Sequence, residues 1–198
     1  ESKSTVPTQS YTDPTPTATP ATPASWADNI KLKGDFRYRH EAFDIEFRDE
    51  RHRQRIRARP ELQATLSDTV RVGFGLASGG IDPTSTNQTL TNASSSKSVV
   101  IDLAYATWQT PIDGLATTVG KFKNPLHRAG GNGLIWDGDL RPEGFGAQYA
   151  SGNLFANAVG LWIDESSSGE DALMFGGQFG LDSTIGDGKL LSGLGYFH

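Results

Sequence analysis

Cysteine is absent from the 198 residues and methionine occurs once. The first absence excludes a disulfide framework and every cysteine-based zinc site. No apolar run approaches the roughly 20 residues that a transmembrane helix needs, and no segment carries its apolar residues at helical spacing. Helical membrane spans are thereby excluded. A membrane barrel is not, because its strands hide apolar residues by alternating them with polar ones. Catalytic signatures are missing as well. No serine sits in a nucleophile elbow and there is no Walker or dinucleotide motif. The four histidines (His40, His52, His127, His198) lack metal-ligand spacing, and Asp137 with Asp139 falls far short of the roughly 6–8 oxygens that calcium takes. The sequence therefore predicts no enzyme, no cofactor and no metal. A signal peptide is not visible at Glu1, as expected of an exported protein after maturation.

What is present is glycine, at 23 residues, and charge that is unevenly placed. The net charge is −5, yet ten of the 18 Lys and Arg residues fall between Lys31 and Arg59. Residues 1–25 hold five of the ten prolines and seven threonines; such a segment cannot bury a core and is predicted to be a flexible periplasmic linker. The ordered part is expected to begin near Trp26.

From there a two-residue period dominates. Ile30, Leu32, Phe36, Tyr38 and Ala42 fall on one face, whereas Lys31, Lys33, Asp35, Arg37, Arg39 and Glu41 fall on the other. Next, Ile56, Ala58, Leu62, Ala64 and Leu66 alternate with Arg53, Arg55, Arg57, Arg59, Glu61 and Gln63. The pattern repeats with Val70, Val72, Phe74 and Leu76, and again with Val99, Ile101, Leu103 and Tyr105 as the apolar face. Weaker strands follow near 115–123, 143–150, 154–164, 171–182 and 189–198. Connections at 67–68, 110–114, 151–153 and 183–188 read as tight turns, and those at 44–52, 79–97, 124–142 and 165–170 as longer loops. Short and long connections in alternation predict an antiparallel up-and-down meander, the habit of outer-membrane barrels. The first three strands match the roughly 9–11 residues of a tilted membrane-crossing strand. Pro60 removes a ladder donor inside the second strand, so a bulge or a break in pairing is expected there.

Because side chains two apart share a face, Arg53, Arg55, Arg57 and Arg59 form one basic row, with Lys31, Lys33, Arg37 and Arg39 as a second on the neighbouring strand. Such rows must face water, which in a barrel means the lumen, where they attract anions. Nucleic-acid platforms interleave aromatics with basic residues; here Phe36, Tyr38 and Phe74 lie on the opposite face, so no nucleic-acid partner is expected. Aromatics near strand ends (Phe43, Phe47, Trp108, Tyr149, Trp162) hint at interfacial girdles, although simple alternation turns Trp108 inward. Asn87-Gln88-Thr89 and Asn92-Ala93-Ser94 fit the glycosylation pattern and are read as incidental. The stretch Lys123–Gly144 is too long for a simple hairpin. Leu134, Ile135 and Trp136 would let it pack against something, and if it folds inward, Asp137, Asp139 and Glu143 would face the arginine row across a constriction.

The segments GDFRYRHE (Gly34–Glu41), RHRQRIRARPEL (Arg51–Leu62), GKFKNPL (Gly120–Leu126) and WDGDLRPEGFG (Trp136–Gly146) resemble the putative outer-membrane porin family of Gram-negative bacteria, from about Trp26 to the end of the chain. The resemblance implies a transmembrane β-barrel that passes small hydrophilic solutes, narrowed by the loop after the fifth strand. Lys123, Asn124 and Pro125 match the family's loop entry, and Trp136, Asp137, Asp139, Pro142, Glu143 and Gly144 its exit. It also implies the bacterial outer membrane as location, lipid and lipopolysaccharide around the wall, small hydrophilic or anionic solutes inside it, and a homotrimer as one allowed assembly. Family barrels have roughly sixteen strands, whereas nine are counted here and bacterial single-chain barrels have an even number. A fragment of a longer barrel is the expectation, with a closed eight-strand barrel as its alternative. Two other functions stay open: a sleeve holding a partner protein such as a multihaem cytochrome, and a soluble β-domain that binds an anionic ligand.

Overall fold

The computed structural model describes residues 26–198, so the linker expected at 1–25 lies outside the described residues. A short 3₁₀ turn, Trp26–Asn29, leads into β1 (Ile30–Phe43), followed by β2 (Arg51–Thr65), β3 (Val70–Ser78), a two-residue β4 (Gln88–Thr89), β5 (Val99–Gln109), β6 (Leu115–Lys121), β7 (Glu143–Ser151), β8 (Leu154–Asp164), β9 (Ala172–Ile185) and β10 (Gly188–Phe197). All pairings are antiparallel and all strands share one sheet, in the order β1-β2-β3-β5-β6-β7-β8-β9-β10, with β4 beside β2. The nine strands read from the sequence are all present, and β4 is the addition. The sheet is an arc of barrel wall, since β1 and β10 are not paired with each other among the described residues. The closed eight-strand alternative does not form. No helix among the described residues is long and apolar enough to cross a membrane.

Tight connections link β2 to β3, β5 to β6, β7 to β8 and β9 to β10; the others are long. The turns after β7 and β9 have two residues each, bracketed by the pairs Ser151↔Leu154 and Ile185↔Gly188. Gly152 and Gly186 open them with φ of +55° and +58°, the left-handed backbone such turns demand and only glycine adopts freely.

Register carries one face around the arc. The pairs Leu32↔Leu62, Leu62↔Phe74, Val72↔Ala106, Ala106↔Val119, Val119↔Phe145, Gly160↔Phe175 and Phe179↔Leu194 align its side chains. This face is apolar and bare: Phe36, Phe74, Trp108, Phe145, Trp162, Phe175, Phe179 and Tyr196 are all exposed. The other face carries the charges. Its apolar core is small and lies under the long loop between β6 and β7, where Phe122, Leu126, Val159 and Leu161 are buried with Tyr105, Trp136, Met174 and Phe197 around them.

Of two irregularities, the break in pairing expected at Pro60 is present on one side of β2 only, and the facing expected for β5 is overturned. No register shift occurs at Pro60, which pairs with Gly34 in an unbroken β1–β2 ladder. The break falls on the other side, where the β2–β3 ladder stops at Glu61↔Gly75. Beyond it Ser78 accepts the Ala58 N–H (2.9 Å), and β4 takes over as neighbour of β2 at Arg55↔Thr89. The overturned expectation is in β5. Gly75 pairs with Leu103 but Leu76 pairs with Ile101, so a bulge at Asp102 inserts one residue and the phase of the alternation flips. Leu103 and Tyr105 therefore join the charged face, while Ala104, Ala106 and Trp108 turn to the apolar one.

Candidate functional site

The β1–β2 register places the two basic rows directly opposite each other: Lys33↔Glu61, Asp35↔Arg59, Arg37↔Arg57, Arg39↔Arg55 and Glu41↔Arg53. Lys31 opposes Gln63 on the same face. An arginine on a lipid face costs about 2–4 kcal/mol at mid-depth, so eight such bases would exceed the roughly 5–15 kcal/mol net stability of an ordinary domain. The face they share is the one to which the long loop folds.

The rows divide electrostatically into two ends. Near the loop, Asp35 accepts from Arg57 (2.9 Å) and Arg59 (2.8 Å), and Asp139 of the loop accepts from Arg59 at 2.8 Å with Arg57 at 3.6 Å. Two guanidiniums thus meet two carboxylates. At the other end Glu41 is shared by Arg39 and by Arg53, the latter at 2.5 Å, while Arg37 and Arg55 reach the Asn87 side-chain oxygen (2.6 Å) and backbone carbonyl (3.3 Å). Asp82, in the same loop as Asn87, takes the N–H and hydroxyl of Thr84, both at 2.9 Å; these bonds hold its carboxyl below the usual range.

The loop at 122–142 crosses the charged face from side to side. On one flank the His127 N–H donates to the Gln178 side chain (2.8 Å), which donates back to the His127 carbonyl (3.0 Å). Trp136 meets Phe197 of β10 edge-on at 5.4 Å between ring centres, and Pro125 lies close over Gly146. Asn124 caps the Leu126 N–H at 3.0 Å. On the other flank Asp139 reaches β2. Lys123 donates to buried Glu61 at 2.6 Å, which also accepts from Gln63 (2.7 Å) and Tyr105 (2.9 Å). Arg141 pairs with Asp102 at 3.2 Å, both side chains nearly buried; the bulge that flips β5 is what presents this carboxylate to the loop. A cleft of about 250 Å³ remains beneath, between Lys33, Arg59, Lys123 and Arg141.

The expected acidic set is only partly assembled. Asp139 touches the arginines directly, neutralising them in place instead of facing them across a gap. Asp137 accepts the Asp139 N–H at 2.7 Å within its own turn. Glu143 opens β7 opposite Lys121, in the phase of Phe145 and Val119, and pairs with Lys121 at 2.8 Å. Glu61 stands on the charged face of β2 by simple alternation and pairs with a base there, whereas Asn87, Tyr105, Asp102, Arg141 and Gln178 carry no such signal as site residues in the sequence. For Tyr105 and Asp102 the only available signal was the bulge, which leaves no mark in a two-residue period.

A family model described as putative porin matches residues 43–198. The chain belongs to the putative porin family. A search of curated proteins found no match to the chain. Porin membership makes the chain part of a membrane transport channel, and the bare apolar face and charged opposite face are the two surfaces a porin wall needs. The match begins at Phe43, so β2 and the long loop lie within it, whereas β1, with Lys31, Lys33, Arg37 and Arg39, precedes it.

Proposed function

We propose that this chain forms the wall of a water-filled outer-membrane channel for passive diffusion of small hydrophilic solutes. Its lumen is basic, and the loop at 122–142 narrows it. The observation that carries this reading is the Arg59–Asp139 pair at 2.8 Å. It ties the loop to the wall on the basic face, with the apolar belt on the other side of the sheet. A loop outside the barrel could not meet that row. The bacterial outer membrane is the location this reading carries, since an antiparallel meander with tight turns at one end and long loops at the other is the habit of outer-membrane barrels.

Two rival readings fare worse. A soluble anion-binding domain would leave Phe36, Trp108, Phe145 and Phe179 in water, a contiguous apolar surface that soluble monomers rarely tolerate. A sleeve for a partner protein needs its inner face free, and the loop covers part of that face.

The test is single-channel recording of the full-length protein in a planar bilayer under a salt gradient. Open steps with anion preference are expected. Replacing Arg55 and Arg57 together by glutamate should move the reversal potential toward cation preference. A detergent-dependent barrel that never conducts would overturn the open-channel reading in favour of the sleeve.

A further inference from the structure

The two ends of the basic face differ in how their charges are matched, and the far end is unfinished. Arg37 stands directly opposite Arg57, and Arg39 opposite Arg55; like charges in directly opposed positions repel. Arg57 is relieved by Asp35 and Asp139. Arg39 shares Glu41 with Arg53, and Arg37 and Arg55 have no ion pair among the described residues. The cluster of Arg37, Arg39, Arg53 and Arg55 has Glu41 as its ion-pair partner among the described residues, four positive charges against one negative. Asp82 is hydrogen-bonded to Thr84 and makes no ion pair with the cluster, although its charge and that of Arg55 are felt by each other at longer range, so the balance stays positive. The Nε–H groups of Arg37, Arg39 and Arg55 are all buried without a hydrogen-bond partner among the described residues. A guanidinium offers five donors and no acceptor, and a buried donor left unmade is costly. Three neighbouring guanidiniums with the same orphaned atom are a recurring feature of one place, not an isolated defect.

The surroundings hold these side chains in position. β4 pairs with β2 at Arg55↔Thr89 and Ile56↔Gln88, which fixes Asn87 over the cluster. From there its side-chain oxygen accepts from Arg37 and its carbonyl from Arg55. The guanidiniums are thus oriented by neutral oxygens that leave their charge intact.

We propose that Arg37, Arg39 and Arg55, positioned by Asn87, form a binding subsite for small dianionic oxyanions of the phosphate type. The excess of positive charge calls for more than one negative charge. Donors arriving from two strands suit a tetrahedral group with several acceptor oxygens better than a planar monocarboxylate, which offers two. Weak, multi-site binding of this kind concentrates a solute without trapping it. The inference rests on the reading of this face as the channel lumen, because the solute must reach it through water.

Inorganic phosphate is the probe, added to the full-length protein at fixed chloride and at a pH where the dianion dominates. Two readouts separate this inference from the channel reading: chloride current in a bilayer, and calorimetric phosphate binding to the detergent-solubilised barrel. Saturable reduction of chloride current together with saturable binding is expected. The double variant Arg37→Gln/Arg55→Gln should weaken both by about tenfold or more, as loss of one charge-assisted hydrogen bond does. Arg71→Gln, a base at the opposite end of the wall, serves as the comparison and should leave phosphate binding intact. If the double variant does not assemble, Asn87→Ala removes the positioning group while keeping every charge, and binding should weaken severalfold. Normal conductance with no saturable phosphate effect and no binding would overturn the subsite and leave the channel standing. Phosphate binding by a barrel that never conducts would uphold the subsite and overturn the channel.

Discussion

Asp139 is the single side chain on which the loop's attachment to β2 turns. It accepts from Arg59 at 2.8 Å and lies 3.6 Å from Arg57, with all three side chains mostly buried. Asp139→Asn removes the charge at constant shape. Charge-assisted hydrogen bonds of this kind are worth about 1.5–3 kcal/mol, so a loss of that order is expected in urea unfolding of the reconstituted barrel. The wall gains one net positive charge, so anion preference should rise as the loop loosens. An unchanged unfolding midpoint would detach the loop from the wall. Tyr105 offers a second test at this scale. Its ring lies over Gly73, where an added Cβ would come within 2.4 Å of it, and its hydroxyl donates to Glu61. Gly73→Ala must push the ring away, at about 1–3 kcal/mol for overpacking, and should release the grip of Glu61 on Lys123. Thermal unfolding by circular dichroism checks the first effect.

At the scale of elements, the strands and their order were legible because alternation, turn residues and loop lengths all agree from Ile30 onward. The basic rows were legible for the same reason: period two puts Arg53, Arg55, Arg57 and Arg59 on one face whatever the tertiary structure. What the alternation cannot encode is a change of phase. Asp102 is one extra residue in β5, and it reverses the facing of the rest of that strand, whereas alternation alone turns Leu103 and Tyr105 outward and Trp108 inward. Pro60 advertised an irregularity, but not on which side of β2 the ladder would end. Asn87 was invisible as a site residue because its role depends on β4, a two-residue strand with no pattern of its own. The revised facing of β5 is directly testable. Ala106 lies between Val72 and Val119 on the apolar face, so Ala106→Arg should cost about 2–4 kcal/mol if it sits near mid-depth. Thr107→Arg, one residue on, points to the charged face and should cost far less. Equal penalties in urea titrations would contradict the bulge.

In the whole molecule one sheet serves two solvents. The apolar belt suits lipid, the guanidinium face suits water, and the loop sits on the watery side, held from β2 to β10. Ion selectivity set by such a wall should fade with salt, because the screening length drops from about 10 Å at 0.1 M to about 3 Å at 1 M. Reversal potentials taken at a fixed concentration ratio should therefore shrink as both sides are raised. The most direct test of the central claim, that the arginine face lines the open water path, exploits the absence of native cysteine. Arg55→Cys and Ala106→Cys would each be recorded in a planar bilayer while a membrane-impermeant, negatively charged thiol reagent is added. The account predicts a stepwise fall in current and in anion preference for Arg55→Cys, and no change for Ala106→Cys. A silent Arg55→Cys beside a responsive Ala106→Cys would mean that the lumen lies on the other face of the sheet.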